Sequence, residues 1–318
     1  MTQKVPCVNV RQFTDGSPRE RSEFVTVFGK GLQEFGFVVV EGHGVSAPLI
    51  QQAYAKLHTF FALSEEVKKS YEPAGGHGQR GYTGFGKEHA KHSNKGVLKE
   101  FWHVGREEFT NQTIAKTYAP NLWADNHVAG FKDTFLKLYN DLDIFARTLL
   151  EATSLYLGLP GQTLPRMIEN GNSILRALHY PAVSDGQAIS GAVRAAAHED
   201  INFITILCEA TESGLELLTR DGKWLSVEST TGQMVVDSGD MLSRICNNII
   251  PSTTHRVINP PGAKNVARYS MPYFVHPYNT CHLEVLDRCR SSQNISKYAP
   301  ILADEFLHQR LREIGLTK

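Results

Sequence analysis

Apolar positions along this 318-residue chain follow two different rhythms. In the first half they recur every three or four residues, the spacing of a helix with one buried stripe. Pro18 to Phe35 places Phe24, Phe28, Leu32 and Phe35 on one side. Pro48 to Leu63 does the same with Leu49, Ala53, Leu57 and Phe60 or Phe61, with Ser46 placed to cap it. The longest such pattern, Gly130 to Leu157, carries Phe131, Phe135, Leu138, Leu142, Phe145 and Leu149 and is stopped by Gly158 and Pro160. Residues 5 to 10 read as a short edge strand. Gly36 to Val40 reads as a buried strand closed by the Gly42-His43-Gly44 turn, in which His43 stabilises the turn. A last helical pattern spans Ala303 to Ile314.

From Ser173 onward the rhythm shortens to β segments separated by turn signals. They are Ser173 to Tyr180, Ile204 to Leu207, Leu215 to Leu218, Trp224 to Val227, Gln233 to Val236, Asp240 to Ile245, Ser252 to Val257, Arg268 to Val275 and His282 to Leu286. Arg220-Asp-Gly-Lys223 is a hairpin turn. The expected fold is mixed α/β, mainly β: a double-stranded β-helix, or jelly roll, with an amino-terminal α/β part and a long supporting helix. Two facing antiparallel sheets of this kind can hold a metal ion inside, where apolar strands limit water.

Composition narrows the function. Lys plus Arg and Asp plus Glu are both 33, so no global field favours nucleic acid or an anionic membrane. The amino terminus lacks the apolar core of a signal peptide, and no run approaches the roughly 18 apolar residues of a membrane span. A cytoplasmic location is expected. The five cysteines, Cys7, Cys208, Cys246, Cys281 and Cys289, are scattered and odd in number, as in a reducing compartment. Cys281-His282 with Cys289 lacks the fourth ligand of a zinc site. The glycine-rich stretch from Pro73 to Gly86 has neither the preceding strand nor the following Gly-Lys-Ser/Thr of a phosphate cradle, and reads as a long loop.

The candidate chemistry lies in Ala197-His198-Glu199-Asp200-Ile201 and in His255. On an extended segment, residues i and i+2 share a face about 6 to 7 Å apart. His198 and Asp200 can thus address one ion while Glu199 points away. A neighbouring strand around His255 supplies a third ligand. Two imidazoles and one carboxylate on one face of an octahedron leave three positions open, the arrangement of non-haem iron(II) oxygenases. With 13 His and 33 acidic residues, an isolated His-x-Asp or His-x-Glu is weak evidence. His282-Leu-Glu284 has the same spacing, but the only histidine after it, His308, falls on a surface helix. The triplet at 198 is distinguished by Arg268-Tyr-Ser270. Its guanidinium and hydroxyl face one way and suit a carboxylate held in bidentate fashion. The turn Asn259-Pro-Pro-Gly262 separates His255 from Arg268, so the two can stand on consecutive paired strands.

This constellation resembles the isopenicillin N synthase-like family of Fe(II)- and 2-oxoglutarate-dependent dioxygenases. The residues that carry the likeness are His198-Glu-Asp200, His255-Arg-Val257, Arg268-Tyr-Ser-Met-Pro-Tyr-Phe-Val-His-Pro277, Gly239-Asp240 and Gly214-Leu215. Amino-terminal landmarks are Glu34-Phe-Gly-Phe-Val38, Gly42-His-Gly-Val45, Arg80-Gly-Tyr82 and Lys99-Glu-Phe101. The likeness spans roughly residues 5 to 300. It implies an amino-terminal α/β region at 1–120, a long helix and linker at 121–170, the jelly-roll core at 171–290 and a carboxyl-terminal helix at 291–318. Leu178 and Asp237 depart from it, each standing where an asparagine is usual among relatives.

By this resemblance Fe(II) sits on His198, Asp200 and His255. The co-substrate 2-oxoglutarate then occupies two open positions and dioxygen the third, with succinate and CO2 released as a small-molecule substrate is hydroxylated, desaturated or cyclised. Arg268 and Ser270 take the distal carboxylate of 2-oxoglutarate, and Tyr180 matches a tyrosine that hydrogen-bonds it. In that family the region of the glycine-rich loop approaches the mouth of the site, which makes Arg80, Tyr82 and the basic run Lys87 to Lys95 candidates to touch substrate. The nearby aromatics Phe203, Tyr273 and Phe274 read as core. An isopenicillin N synthase-like oxidase that uses no 2-oxoglutarate is a second reading, although residues 311–318 lack the glutamine which that enzyme uses at the iron. A non-catalytic metal- or ligand-sensing jelly roll is a third, disfavoured because a sensor has no use for three open coordination positions. The sequence identifies neither the primary substrate nor the oligomeric state.

Overall fold

The computed structural model describes residues 4–73, 79–87, 99–182, 193–209, 211, 214–258 and 266–313. Thirteen strands are present among them: β1 (Cys7–Asn9), β2 (Phe37–Glu41), β3 (Gly81–Thr83), β4 (Glu100–Gly105), β5 (Ile174–Tyr180), β6 (Val193–His198), β7 (Ile204–Leu207), β8 (Leu215–Leu218), β9 (Trp224–Ser226), β10 (Gln233–Ser238), β11 (His255–Ile258), β12 (Arg268–Ser270) and β13 (Pro272–Val275). The larger sheet runs β1-β2-β10-β7-β13-β5-β4-β3, with β12 also paired to β5. The smaller runs β6-β11-β8-β9. Apart from the parallel β1–β2 pair, every pairing is antiparallel. The architecture is the mainly-β α/β jelly roll that the alternation predicts.

The helical stripes bury as their spacing requires. Phe131–Tyr156 forms one helix, and Phe131, Phe135, Leu138, Leu142, Phe145 and Leu149 all lie in the main core. Each such side chain contributes about 1.5 to 3 kcal/mol on burial. Pro18–Phe35 begins in a capping box, with Ser17 accepting from the Glu20 backbone N–H and the Glu20 carboxylate accepting from the Ser17 N–H. It ends on Gly36 at φ 68°, a left-handed conformation that lets the chain turn directly into β2. Ser46 takes the N-cap position of Ala47–Phe61, but without a side-chain bond to the helix. The His43 ring nitrogen accepts from the Val45 N–H at 3.1 Å, the expected turn-stabilising contact.

Three expectations are corrected. Asp240–Ile245 is a helix, with Met241, Leu242 and Ile245 buried; in so short a segment an apolar cluster suits a buried helical turn as well as a strand. His282 to Leu286 makes only an isolated bridge between His282 and Leu302. Arg268 to Val275 is two strands, β12 and β13, interrupted at Met271. Strands β3, β4 and β6 add to the expected set.

Behind the larger sheet lies a buried polar knot. Glu100 accepts from Lys68 (2.7 Å), from Tyr82 (2.5 Å) and from His179 (2.7 Å). His179 stacks on Tyr269. In β12 and β5 these two residues alternate with Arg268, Ser270, Leu178 and Tyr180, which face the other way. The knot therefore braces the back of the strands whose front faces line the pocket.

Candidate active site

The pocket opens between the two sheets, with the smaller sheet as one wall. His198 ends β6 and lies directly opposite His255 of β11, with ring centroids 4.4 Å apart. Each ring is locked by its own strand. Nδ1 of His198 faces the Ala196 carbonyl at 2.8 Å, and Nδ1 of His255 faces the Thr253 carbonyl at 3.1 Å. A carbonyl can only accept, so each Nδ1 carries the proton and each Nε2 keeps its lone pair for the pocket. Loss of hydration in the pocket, then the neighbouring His255, hold the His198 imidazole below its ordinary pKa, although 45% of its side-chain surface remains accessible.

Asp200 follows β6 and is buried. Its Oδ1 lies 3.7 Å from His198 Nε2 and 4.0 Å from His255 Nε2. One ligand atom from each of the three residues lies within 4.8 Å of the others, and no other such cluster occurs among the described residues. Two neutral imidazoles and a carboxylate fit a divalent iron ion.

The Asp200 loop is fixed from behind. Thr205 donates to Oδ2, and the Asp240 N–H donates to the Asp200 carbonyl at 2.7 Å. A Cβ on Gly239 would stand 2.8 Å from that carbonyl oxygen, so the Gly239-Asp240 landmark is the close approach of one backbone to another. Glu199 is exposed and accepts from Thr254, facing away as alternation requires.

The larger sheet forms the other wall. Arg268 stands opposite Tyr180, and Ser270 opposite Leu178. All four are buried. Arg268 Nη1 donates to Ser270 Oγ at 3.2 Å, and its guanidinium carbon lies 5.6 Å from the centre of the Tyr180 ring. Asp237 also lines the pocket. Burial, then the Asp200 charge, raise its pKa well above the carboxylate range, and its Oδ2 has no hydrogen-bond partner. Asp237 thus puts a buried carboxyl group, close in shape to an amide, on the pocket wall.

The glycine-rich loop contributes differently from expectation. Arg80 is buried and donates to Asn172 Oδ1 (3.0 Å) and the Gln79 carbonyl (2.7 Å), while Tyr82 belongs to the Glu100 knot. Neither lines the pocket. Residues 88–95 of the basic run lie outside the described residues. Phe203 and Tyr273 are core, but Phe274 lines the pocket. His282 and His308 are exposed surface residues, and all five cysteines are free thiols.

Sequence reasoning missed Lys99, Arg176, Thr205 and Phe37, all of which line the pocket. Arg176 was within reach, because Arg176, Leu178 and Tyr180 are alternate residues of one strand and share a face. Thr205 and Phe37 carry no local signal. Phe37 meets the His255 ring edge-on, with centroids 5.4 Å apart.

Comparison with known proteins agrees with this geometry. Residues 5–126 match the family described as non-haem dioxygenase in morphine synthesis N-terminal, and residues 171–277 match the 2OG-Fe(II) oxygenase superfamily. A solved 2OG-Fe(II) oxygenase family protein from Caulobacter crescentus is 39% identical, with 98% of this chain and 99% of that one covered and a TM-score of 0.87. A full-length Neurospora crassa protein, solved in complex with alpha-KG and thymine, is 26% identical over 97% of this chain and 96% of its own, with a TM-score of 0.85. The 2-oxoglutarate-dependent dioxygenase frbA of a Dothideomycetidae species is 28% identical over 86% of each chain. The chain belongs to the 2OG-Fe(II) oxygenase superfamily and is a 2-oxoglutarate-dependent dioxygenase, an oxidoreductase that uses Fe(II), 2-oxoglutarate and dioxygen.

Proposed function

We propose that His198, Asp200 and His255 hold one Fe(II), that Arg268 and Ser270 bind the distal carboxylate of 2-oxoglutarate beside Tyr180, and that the enzyme hydroxylates, desaturates or cyclises a small molecule. The observation that carries this reading is the convergence of two proton-locked imidazoles and one carboxylate, with ligand atoms within 4.8 Å. Iron held there would bring 2-oxoglutarate and dioxygen together; dioxygen is the oxidant, taking two electrons from 2-oxoglutarate, which leaves as succinate and CO2, and two from the substrate.

The chain's own residues do the rest. Thr205 keeps Oδ2 of Asp200 occupied and so presents Oδ1 to the two Nε2 atoms. Arg268 is pre-oriented by Ser270 and by the Tyr180 ring, so little rotamer freedom is lost when it takes a carboxylate in bidentate fashion. Leu178, Leu207, Val235 and Val257 line the space between and exclude water.

The test is an anaerobic titration with Fe(II) and then 2-oxoglutarate, followed by oxygen, with succinate measured against a panel of small molecules. One Fe(II) per chain and succinate release are expected. Oxygen consumption without 2-oxoglutarate or succinate would replace this reading with the oxidase one.

A further inference from the structure

We propose that Arg310, on the carboxyl-terminal helix, is a positioning residue of the iron site, which it reaches through Asp240. The inference rests on the iron ligands proposed above and concerns what holds one of them in place. Asp200 follows the end of β6, outside the ladder that pairs His198 with His255. Its segment is held instead by consecutive backbone N–H groups. Gly239 donates to the Phe203 carbonyl at 3.0 Å, Asp240 to that of Asp200 at 2.7 Å and Met241 to that of Ile201 at 3.1 Å. The backbone of this ligand thus takes its position from residues 239 to 241, while Thr205 orients its carboxylate.

Those residues are held in turn from outside. The Asp240 carboxylate meets Arg310 Nη2 at 3.2 Å, with 18% and 26% of the two side chains accessible. Arg310 belongs to the helix Ala303–Glu313, whose Ala303, Phe306, Leu307 and Leu311 are buried in the main core. The helix is tied down at its start, where the Ala303 N–H donates to the Cys281 carbonyl (2.9 Å) and the Asp304 N–H to that of Asn279 (3.1 Å). The guanidinium is restrained as well: Nη1 donates to Glu313 at 2.8 Å, and its carbon lies 5.1 Å from the Phe306 ring centre. Asp240 is within electrostatic reach of two further carboxylates, Glu199 and Asp200. Without a cation it would be pushed away from them, and its N–H would move off the Asp200 carbonyl. Arg310 offsets that repulsion. A cation near a metal also has an effect of the opposite sign, since its own charge disfavours a divalent ion. Removing Arg310 would tighten iron binding if charge alone mattered, and loosen it if position matters.

The test is an anaerobic titration of the metal-free protein with Fe(II) alone, in competition with a chromogenic chelator. Arg310→Gln should weaken Fe(II) binding by about tenfold, the low end for an outer partner because Arg310 acts through Asp240. Arg310→Lys should recover most of the loss, since an ammonium can meet the same carboxylate. Asp240→Asn, which keeps the backbone N–H and leaves the helix untouched, should weaken binding too. Adding Arg310→Gln to Asp240→Asn should then cost nothing further, as for two residues acting through one contact. The melting temperatures of the metal-free variants should stay close to the parent's, because a partly exposed ion pair adds little to global stability. Binding that is unchanged or tighter in Arg310→Gln, no recovery in Arg310→Lys, or additive losses in the double variant would overturn the proposal. So would a melting temperature that falls in step with affinity, the mark of a merely structural role. Failure of the parent protein to bind Fe(II) would instead overturn the iron site on which the proposal rests.

Discussion

Thr205 donates its hydroxyl hydrogen to Oδ2 of Asp200, so the oxygen that faces both histidine Nε2 atoms is always Oδ1. Outer contacts of this kind orient a ligand and tune its basicity. Thr205→Val, which keeps the shape and removes the donor, should weaken Fe(II) binding by roughly 10- to 100-fold, the usual range for an outer partner. A metal titration measures this, and an unchanged affinity would show the contact to be passive.

Asp200→Ala should weaken the metal beyond that range and abolish turnover. Glu199→Gln should do neither, since Glu199 is exposed and engaged with Thr254. Iron content of the two purified variants decides the point. Equal loss in both would contradict the alternation across the triplet.

His282→Ala should leave iron content and turnover at parental levels. His282 and Glu284 are both exposed, and no further ligand converges on them among the described residues. Iron lost in this variant would move the metal site to the second triplet.

Arg268→Gln should keep the metal and raise the 2-oxoglutarate concentration needed for turnover. A charge-assisted hydrogen bond is worth about 1.5 to 3 kcal/mol, or roughly ten- to more than hundredfold in binding. The visible charge-transfer band of the keto acid chelated to Fe(II) gives the same midpoint anaerobically. No shift of that midpoint would free Arg268 from the proposed role.

Glu100→Gln should destabilise the fold by about 3 to 5 kcal/mol, because it strands the buried Lys68 ammonium without its counter-charge. Burial raises the Glu100 pKa, but the donors His179, Lys68 and Tyr82 outweigh it and leave the value below the ordinary 4.5. The carboxylate's contribution is therefore complete above about pH 4.5 and lost as pH falls through the lower folded value. Urea unfolding across that window should show a steeper acid loss in the parent than in the variant.

The sequence alone determined what local spacing encodes. Helical periodicity located Pro18–Phe35 and Phe131–Tyr156 to within a residue or two, because a stripe of apolar side chains has one way to bury. Alternation within a strand put His198 with Asp200 and Arg268 with Ser270, since side chains two apart share a face whatever lies opposite. The triad was legible for that reason, with only His255 supplied from another strand. What lies opposite is set by pairing between segments far apart in the chain, and that was decided only by the tertiary structure. Arg80 and Tyr82, expected near the mouth, turned inward because Asn172 and Glu100 satisfy them there. Phe274, which reads as core, faces the pocket because β13 pairs with both β5 and β7. Thr205 reaches Asp200 by the path of the intervening loop, and Arg176 meets His103 and Phe101 because β4 lies against β5 in one register. A slip of β4 by one residue against β5 would turn Phe101 and His103 to the opposite face, away from Arg176.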